Sequence, residues 1–404
     1  MTTSTSELLA YPFGPPDGLT VDPIYRELQS KRPIQVTFPF GEPVWLATQY
    51  EDCRMVYGDR RFMRSLGLTH DMPGLFDGEL IKNPDLLLNM DPPEQTRIRR
   101  LASGAFSPGR IAKLEEQIQG HVDDLWDDVE AAGPGADFMD LFAPKLPARV
   151  MSDILGVPSR DEAEEFARLV DQMVGPGVDP EVRAAANVRI HGFITGLIAS
   201  RREHPTDDVL QVLVDARDGD DKLTESELES TALGLWLGGV DTTHYEVGSM
   251  VFTLLSHPER FQELLDDHSL IPAALEELWR WIPSHKYGVF FPRWASEDLE
   301  LPSGQPIKAG EPVYPEHTVA NRDESVFPHG WEIDFHRVEP QPHLTFAHGA
   351  HHCMGSHLAR LEVRLAITTM IERFPTLQLT VAPEDVAWEE TSMLRGAKSL
   401  PLAW

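Results

Sequence analysis

Residues 346–355 read FAHGAHHCMG, and they contain one of the two cysteines in a chain of 404 residues. The stretch leads into SHLARLEVRLAITTMIERF (356–374), whose apolar spacing predicts a helix that stops at Pro375. Cys353 therefore lies just before a helix N-terminus, where the helix dipole and unpaired backbone N–H groups favour a thiolate. Gly349 and Gly355 allow tight turns on either side of it.

Cys353 has several interpretations on this pattern alone. A lone cysteine is most often an inert buried thiol. As a nucleophile it would need a histidine and an Asn or Asp brought from elsewhere in the fold. Zinc fits poorly, because His351 and His352 are adjacent and would point apart, and no CxxC or HxxxH pair lies nearby. The remaining interpretation is an axial thiolate ligand to haem iron that leaves the opposite face for oxygen.

The composition narrows the class of protein. The chain has 65 acidic and 35 basic residues and a formal net charge of −30, which excludes a nucleic-acid binder and disfavours an anionic membrane surface. Two cysteines make no disulfide framework. The N-terminus shows no signal peptide, and no window is apolar over the length of a membrane span. We expect a cytoplasmic, monomeric protein.

Most of the chain has helical spacing. Helices are predicted over 110–133 and over 161–175, the second starting after Ser159. Strand-like runs are short: 33–48 predicts a hairpin, and 289–315 alternates with turn signals. We find no repeat and no linker, so we expect a single domain over 1–404, with 1–20 as a flexible N-terminal segment. The predicted fold class is mainly α with small β-sheets.

One helix is unusually long. Thr224 and Glu227 form the pattern of a capping box, and no stop signal follows until His257-Pro258. The helix would be about 50 Å long. Its middle, ALGLWLGGV (232–240), is apolar on every face, which indicates burial.

Polar and flexible residues interrupt this buried helix. Each of Gly238 and Gly239 costs about 1 kcal/mol relative to Ala, and an unpaired Asp241 would cost several kcal/mol or shift its pKa. The pattern favours either a tight helix crossing with satisfied polar groups, or a widened groove in which Asp241 and Thr242 face a reaction centre.

The cysteine loop resembles the FGxGxHxCxG ligand loop of the cytochrome P450 family. Further stretches resemble that family's motifs in the expected order: DPPEQTRIRR (91–100) its haem-edge helix, GVDTT (239–243) its oxygen-activation motif, ELWR (277–280) its ExxR, and ANRD (320–323) and DFHR (334–337) the region before the cysteine. The similarity runs from about residue 20 to the C-terminus. It implies the P450 fold of the bacterial branch, with the long central helix over the haem.

The resemblance assigns roles to individual residues. It implies that Cys353 ligates the iron of haem b, that Phe346 packs beside its sulfur, and that Asp241 and Thr242 deliver protons for O–O cleavage. It implies a buried structural network of Glu277, Arg280 and Arg337. The remaining residues of the cofactor site are expected to be Arg99, Gln95, Arg293, His351, Gly349 and Gly355.

Two positions depart from the family pattern: Gly238 replaces the usual Ala and enlarges the space over the haem, and Ala347 replaces a usual Gly, a change expected to be small.

The substrate pocket is expected to be lined by the loop 64–90, the segment 284–291 and the turn 391–394. The individual candidates for substrate contact are Leu235, Gly238, Gly239, Ser284, His285, Val289, Phe290 and Met393. Their mixed apolar, aromatic and histidine character indicates a sizeable, partly aromatic or polycyclic substrate.

The implied function is a haem-thiolate monooxygenase that oxidises a small molecule of bacterial secondary metabolism with O₂. The alternatives are oxidative coupling or ring closure of an aromatic substrate, a haem-binding sensor without turnover, and a cysteine hydrolase. No GxGxxG follows a predicted strand, so a ferredoxin and a ferredoxin reductase are expected to supply electrons. Basic residues are expected to form the docking patch: Arg97, Arg99, Arg100, Arg110, Lys113, Arg360 and Arg364.

Overall fold

The computed structural model of the chain describes residues 8–14, 17–74, 82–104, 106–174, 178–219, 222–286, 292–338, 341–390 and 392–404. These residues fall into two compact units, each assembled from separate stretches of the chain. The first comprises Met1–Thr96, His285–Ile333 and Glu339–Cys353, and the second comprises Arg97–Ser284, Asp334–Val338 and Met354–Trp404. The single domain expected over 1–404 stays a prediction.

The structure is mainly helical, as predicted. The helices are α1 (Ile24–Gln29), α2 (Tyr50–Gly58), α3 (Glu94–Ser103), α4 (Pro108–Ile111), α5 (Glu115–Ala132), α6 (Phe138–Leu141), α7 (Lys145–Leu155), α8 (Arg160–Val174), α9 (Pro180–Glu203), α10 (Val209–Asp218), α11 (Glu225–Ser256), α12 (Pro258–Asp266), α13 (Ile271–Trp281), α14 (His317–Ala320) and α15 (Ser356–Arg373). The strands are β1 (Leu9–Ala10), β2 (Ile34–Thr37), β3 (Val44–Ala47), β4 (Phe62–Met63), β5 (Ala136–Asp137), β6 (Arg293–Ala295), β7 (Leu299–Glu300), β8 (Pro306–Ile307), β9 (Pro312–Pro315), β10 (Gln378–Leu379) and β11 (Pro401–Ala403).

The first unit is built on a sheet of six strands in the order β1-β2-β3-β9-β6-β4. Strands β2 and β3 pair antiparallel with Ile34 opposite Leu46, which is the hairpin predicted over 33–48. Strand β1 lies parallel to β2, so residues 9 and 10 belong to the sheet, and the flexibility expected of residues 1–20 stays a prediction. The side chains of Val36, Val44 and Leu46 are buried because alternate residues of a strand point to the same face.

The second unit surrounds α11, which packs against α7, α15, α10 and α9. Both hydrogen bonds of the predicted capping box are present at its start, between Thr224 and Glu227. Its 32 residues correspond to a length of about 48 Å. Because other helices cover it, its apolar middle is buried on several faces.

The helix predicted over 110–133 is not continuous. Helix α4 ends at Ile111, a 3₁₀ turn covers Ala112–Leu114, and α5 then runs to Ala132. Gly133 ends α5 with φ of 77°, a conformation that glycine adopts without steric cost. Among the described residues, no helix combines the length and the apolar character needed to cross a membrane.

Candidate functional site

The cysteine loop of the first unit is held by its own backbone. The Cys353 N–H donates to the Phe346 carbonyl oxygen over 2.8 Å, and Phe346 itself is buried. Gly349 has φ of 71°, and a Cβ atom there would lie 2.8 Å from both the Gly58 Cα and the Tyr57 carbonyl oxygen. Only glycine fits this position, so the loop is pinned against the end of α2.

Ala347 is a larger departure from the family pattern than expected. Its φ is 57°, so an alanine occupies the left-handed conformation that the family's usual glycine adopts freely. A Cβ atom in that conformation costs roughly 1–2 kcal/mol. The substitution therefore places backbone strain six residues before Cys353, and the size of its effect stays a prediction.

Gln95, expected at the haem propionates, instead bonds the cysteine loop. It is 1% exposed, and its Nε2 donates to the Ala350 carbonyl oxygen over 2.6 Å. One of its two amide N–H groups is thus committed to the backbone, and its role at a propionate stays a prediction. His351 lies half-buried in the 3₁₀ turn of this loop.

Arg293 is one of several buried cations of the first unit, along with Arg64 and Arg322. Its guanidinium lies 5.8 Å from the centre of the Tyr57 ring, and burial lowers its pKa to about 10. The Tyr57 hydroxyl lies 3.1 Å from Nδ1 of His317, and the His285 ring lies 5.4 Å from the His317 ring. An anionic group bound beside Arg293 would offset the cost of burying its charge.

The residues of the ExxR motif form a buried ionic network in the second unit. Arg280 donates from Nε and Nη2 to the two Glu277 carboxylate oxygens, each over 2.7 Å. Arg337 donates from Nε to the same carboxylate over 3.1 and 3.2 Å. The Asp334 N–H donates to Glu277 as well, over 2.9 Å. A carboxylate with this many donors orders two segments that are distant in sequence.

The central helix α11 is open in the stretch that carries Asp241 and Thr242. Gly238 is exposed and both polar residues are half-buried, although residues on either side are buried. A Cβ atom added at Gly238 would meet no atom within 4 Å. The second unit therefore has open space beside Gly238, and the location of that space over a haem stays a prediction.

Thr242 forms the backbone hydrogen bond that is common for a helical threonine. Its hydroxyl donates to the Gly238 carbonyl oxygen over 2.7 Å. The oxygen of a hydroxyl keeps lone pairs that can accept a proton or a hydrogen bond. The bond thus orients Thr242 toward the Gly238 end of the open stretch, and its role in proton transfer stays a prediction.

Gly239, expected to line the pocket, makes a close packing contact, whereas the role expected of Leu235 stays a prediction. A Cβ atom at Gly239 would lie 2.5 Å from the Met151 sulfur of α7, so this glycine permits the close crossing of the two helices. Leu235 is buried. The tight crossing and the open face thus occur side by side, at Gly239 and at Gly238.

Ser284, the first residue of one segment expected to line the pocket, contacts both α11 and the C-terminal segment in the second unit. The Ser284 hydroxyl donates to Oε1 of Glu246 in α11, and the Ser284 carbonyl accepts the Arg395 N–H over 2.9 Å. Met393, in the same C-terminal turn, is half-buried. Val289 and Phe290 lie outside the described residues.

Sequence reasoning did not single out Glu246. It is 5% exposed, and burial raises its pKa to about 8, with the Ser284 hydroxyl acting in the opposite direction. The available signal was an acidic residue four positions after Thr242, within a run that is otherwise buried.

Several residues of the predicted docking patch are ion-paired. The second unit pairs Arg97 with Glu227, Arg110 with Asp207, Arg360 with Glu276 and Arg364 with Glu115. Arg99 is half-buried, whereas Arg100 and Lys113 are exposed. The patch therefore carries much less uncompensated positive charge than the sequence indicated.

The residues present suit a haem. A half-buried cysteine that forms no disulfide supplies a thiolate ligand, Arg293 is a buried cation suited to a propionate, and Gly238 opens onto empty space. The described residues hold no cluster of three or more His, Cys, Asp or Glu side chains that would suit a separate metal ion. The donor set is one of haem-thiolate proteins.

Comparison with known proteins agrees with this chemistry. The family model "Cytochrome P450" matches residues 182–398. The chain is 40% identical to the mycinamicin IV hydroxylase/epoxidase of Micromonospora griseorubida, over 99% of this chain and 100% of that one. The LnmA P450 hydroxylase of the leinamycin pathway of Streptomyces atroolivaceus matches with a TM-score of 0.90 and 37% identity, over 98% and 100% of the chains. Cytochrome P450mel 107F1, described as having biaryl coupling reactivity, matches with a TM-score of 0.91, 37% identity and the same coverage.

The chain belongs to the cytochrome P450 family. It is an oxidoreductase of the P450 monooxygenase class of bacterial secondary metabolism, and its cofactor is haem b held by a cysteine thiolate.

Proposed function

We propose that this P450 inserts oxygen into a sizeable secondary metabolite, with Cys353 as the iron ligand and with electrons supplied by a ferredoxin and its reductase. The observation that carries the proposal is the Asp241–Thr242 pair on the open stretch of α11, beside the empty space at Gly238. A haem-binding sensor needs no proton delivery and has no use for such a pair. The network of Glu277 is a haem-fold feature that a cysteine hydrolase does not need.

When bound, haem b supplies the reductive activation of O₂, which the Cys353 thiolate promotes by electron donation. Side chains of the protein would bind the propionates, exclude water and transfer protons. Arg293, Arg99 and His351 would hold the propionates, and Phe346 would limit water around the sulfur. Asp241 would take protons from solvent, and the Thr242 hydroxyl would pass them on one at a time to the open space beside Gly238.

The first experiment tests the cofactor and the reaction together. The purified protein should be red, and its reduced CO complex should show the strongly red-shifted Soret band of thiolate ligation. Mycinamicin IV and nocardicin C occur in the names of two relatives, the mycinamicin IV hydroxylase/epoxidase and the nocardicin C N-oxygenase. Both compounds would be titrated for displacement of the iron-bound water and then tested for oxygenated products. A protein without that CO band refutes the proposal.

The pocket assignment can be tested at two neighbouring glycines. Gly238→Ala places a methyl group in empty space, so we expect weaker binding of large ligands without a loss of stability, since Ala favours a helix over Gly by about 1 kcal/mol. Gly239→Ala is the matched control. Its methyl group would meet the Met151 sulfur at 2.5 Å, so we expect it to lower the melting temperature.

Oxidative coupling of an aromatic substrate is the second candidate. The biaryl coupling reactivity of P450mel 107F1 favours it, because that protein and this chain match over 98% of this chain. The same product analysis distinguishes the two reactions: incorporation of ¹⁸O from labelled O₂ indicates oxygen insertion, and a dimer or new ring without the label indicates coupling.

The ferredoxin proposal rests on Arg100 and Lys113, two exposed basic residues of the predicted docking patch that are outside the four ion pairs described above. The double variant Arg100→Glu, Lys113→Glu should slow reduction by a plant-type ferredoxin and flatten its dependence on ionic strength. Arg97→Glu is the control, since Arg97 bonds Glu227 at the start of α11, and its loss should lower stability. Unchanged reduction of the double variant at low salt would exclude this surface.

A further inference from the structure

Glu246 is a buried carboxyl group for which the P450 motifs give no role. It lies in α11, and its Oε1 accepts from the Ser284 hydroxyl. Its other oxygen, Oε2, is buried and has no hydrogen-bond partner among the described residues. Leaving a buried polar atom unpaired costs about 1–3 kcal/mol, so a purely structural role explains it poorly.

The position of Glu246 relates it to Thr242. Residues four apart lie on the same side of a helix, with about 5–6 Å between their Cβ atoms. Gly238, Thr242 and Glu246 thus form one strip along α11, exposed at Gly238, half-buried at Thr242 and buried at Glu246. Thr242 is already bonded along this strip, to the Gly238 carbonyl oxygen. The strip connects the empty space to the carboxyl group.

We infer that Glu246 stores an exchangeable proton for the Thr242 hydroxyl and is a positioning residue of the oxidation in addition to Asp241. The inference rests on the proposed function. The Glu246 O–H bond would break as the Thr242 oxygen accepts the proton, and the hydroxyl proton that Thr242 donates to the Gly238 carbonyl oxygen would turn away from that oxygen and pass to the dioxygen being reduced. The resulting Glu246 carboxylate regains a proton from solvent, and the electrons come from the redox partner.

The protonation state of Glu246 is set by its surroundings. Burial raises its pKa to about 8 against the lowering effect of the Ser284 hydroxyl, so it holds its proton at neutral pH. On α11 the titratable groups nearest to it in sequence are Asp241 and His244, and Glu389 of the C-terminal segment acts on His244. Helix α15, which packs against α11, carries the buried Glu362 together with His357, Arg360, Arg364, Glu372 and Arg373.

The variant Glu246→Gln separates a proton store from a structural tether. Glutamine keeps the shape and can still accept the Ser284 hydrogen bond, but it has no acidic proton. With a plant-type ferredoxin, its reductase and O₂ as the only oxidant, we expect the share of electrons that leaves as hydrogen peroxide to rise several-fold. We also expect the four-electron reduction of O₂ to water to slow on the order of tenfold. The CO spectrum and haem content should be unchanged.

A second readout does not depend on turnover. The infrared difference between the wild-type and Glu246→Gln holoenzymes should contain the C=O stretch of a protonated carboxyl group, shifted in D₂O and lost near pH 8. The difference spectrum is needed because Glu362, also buried with a raised pKa, has a band of its own. Thr253→Ala is the matched control. It removes a hydroxyl that donates to the Ser249 carbonyl in the same helix, and should change neither readout.

The outcomes separate the two levels of the argument. A wild-type protein without a thiolate CO band, or without O₂ reduction, refutes the proposed function. A normal wild type with an unchanged peroxide share in Glu246→Gln, or with no protonated carboxyl band, overturns the inference about Glu246 alone.

Discussion

Glu246→Gln should change how stability depends on pH. In the folded protein the pKa of Glu246 is raised from 4.5 to about 8, so between these values the folded chain holds a proton that the unfolded chain has lost. The stability that this bound proton contributes is fully present below the ordinary pKa of a glutamate, and it is lost as the pH rises through the pKa of the folded protein. The slope is about 1.4 kcal/mol per pH unit, which reaches about 5 kcal/mol at pH 8.

The assay is urea unfolding of both holoenzymes at several pH values between about pH 5 and about pH 8. Glutamine resembles the neutral carboxyl group, so the two proteins should be similar near pH 5. The wild type should then lose stability relative to the variant as the pH rises. A difference in unfolding free energy that stays constant over this range would refute the burial argument, because a normally titrating Glu246 gives no slope there.

Three further predictions concern residues that the sequence already singled out or that the cysteine loop contains. Cys353→Ala should abolish the red-shifted CO band, and a normal spectrum in this variant would contradict the ligand assignment. The control Cys53→Ala should retain the band, because the Cys53 thiol is buried and donates to the Ala47 carbonyl oxygen over 3.2 Å. Thr242→Ala should leave haem binding near normal but give more hydrogen peroxide and less product per electron pair, and full product yield would exclude its proton role. Ala347→Gly should raise the unfolding free energy by about 1 kcal/mol by removing strain at φ of 57°, which urea unfolding measures.

The features recognisable from sequence are those that depend on short spacing. The capping box at Thr224, the length of α11 and the hairpin over 33–48 follow from residues within a few positions of one another, since helix and strand periodicity are local properties. The motif set around Cys353 and Glu277 indicated the family, and with it the fold and the cofactor, because order and spacing of such motifs survive in a linear sequence.

Contacts between residues that are distant in sequence could not be predicted from local spacing. Gln95 bonds a carbonyl 255 positions away, and Arg97 bonds Glu227 instead of forming a free basic surface. The net charge of a segment does not say which charges are already paired, because pairing is set by which helices come together.

The long helix α11 shows most clearly which features the sequence predicts and which depend on the tertiary structure. Its sequence predicted that Gly238, Gly239, Asp241 and Thr242 are exceptional, but not which interpretation applies to each. The packing of α7 makes Gly239 a contact residue, while the adjacent Gly238 opens onto empty space. The tertiary structure also buries Glu246 against Ser284, 38 positions further along the chain. Burial, and with it the protonation of a carboxyl group, is decided by neighbours in space, and only the folded chain brings those neighbours together.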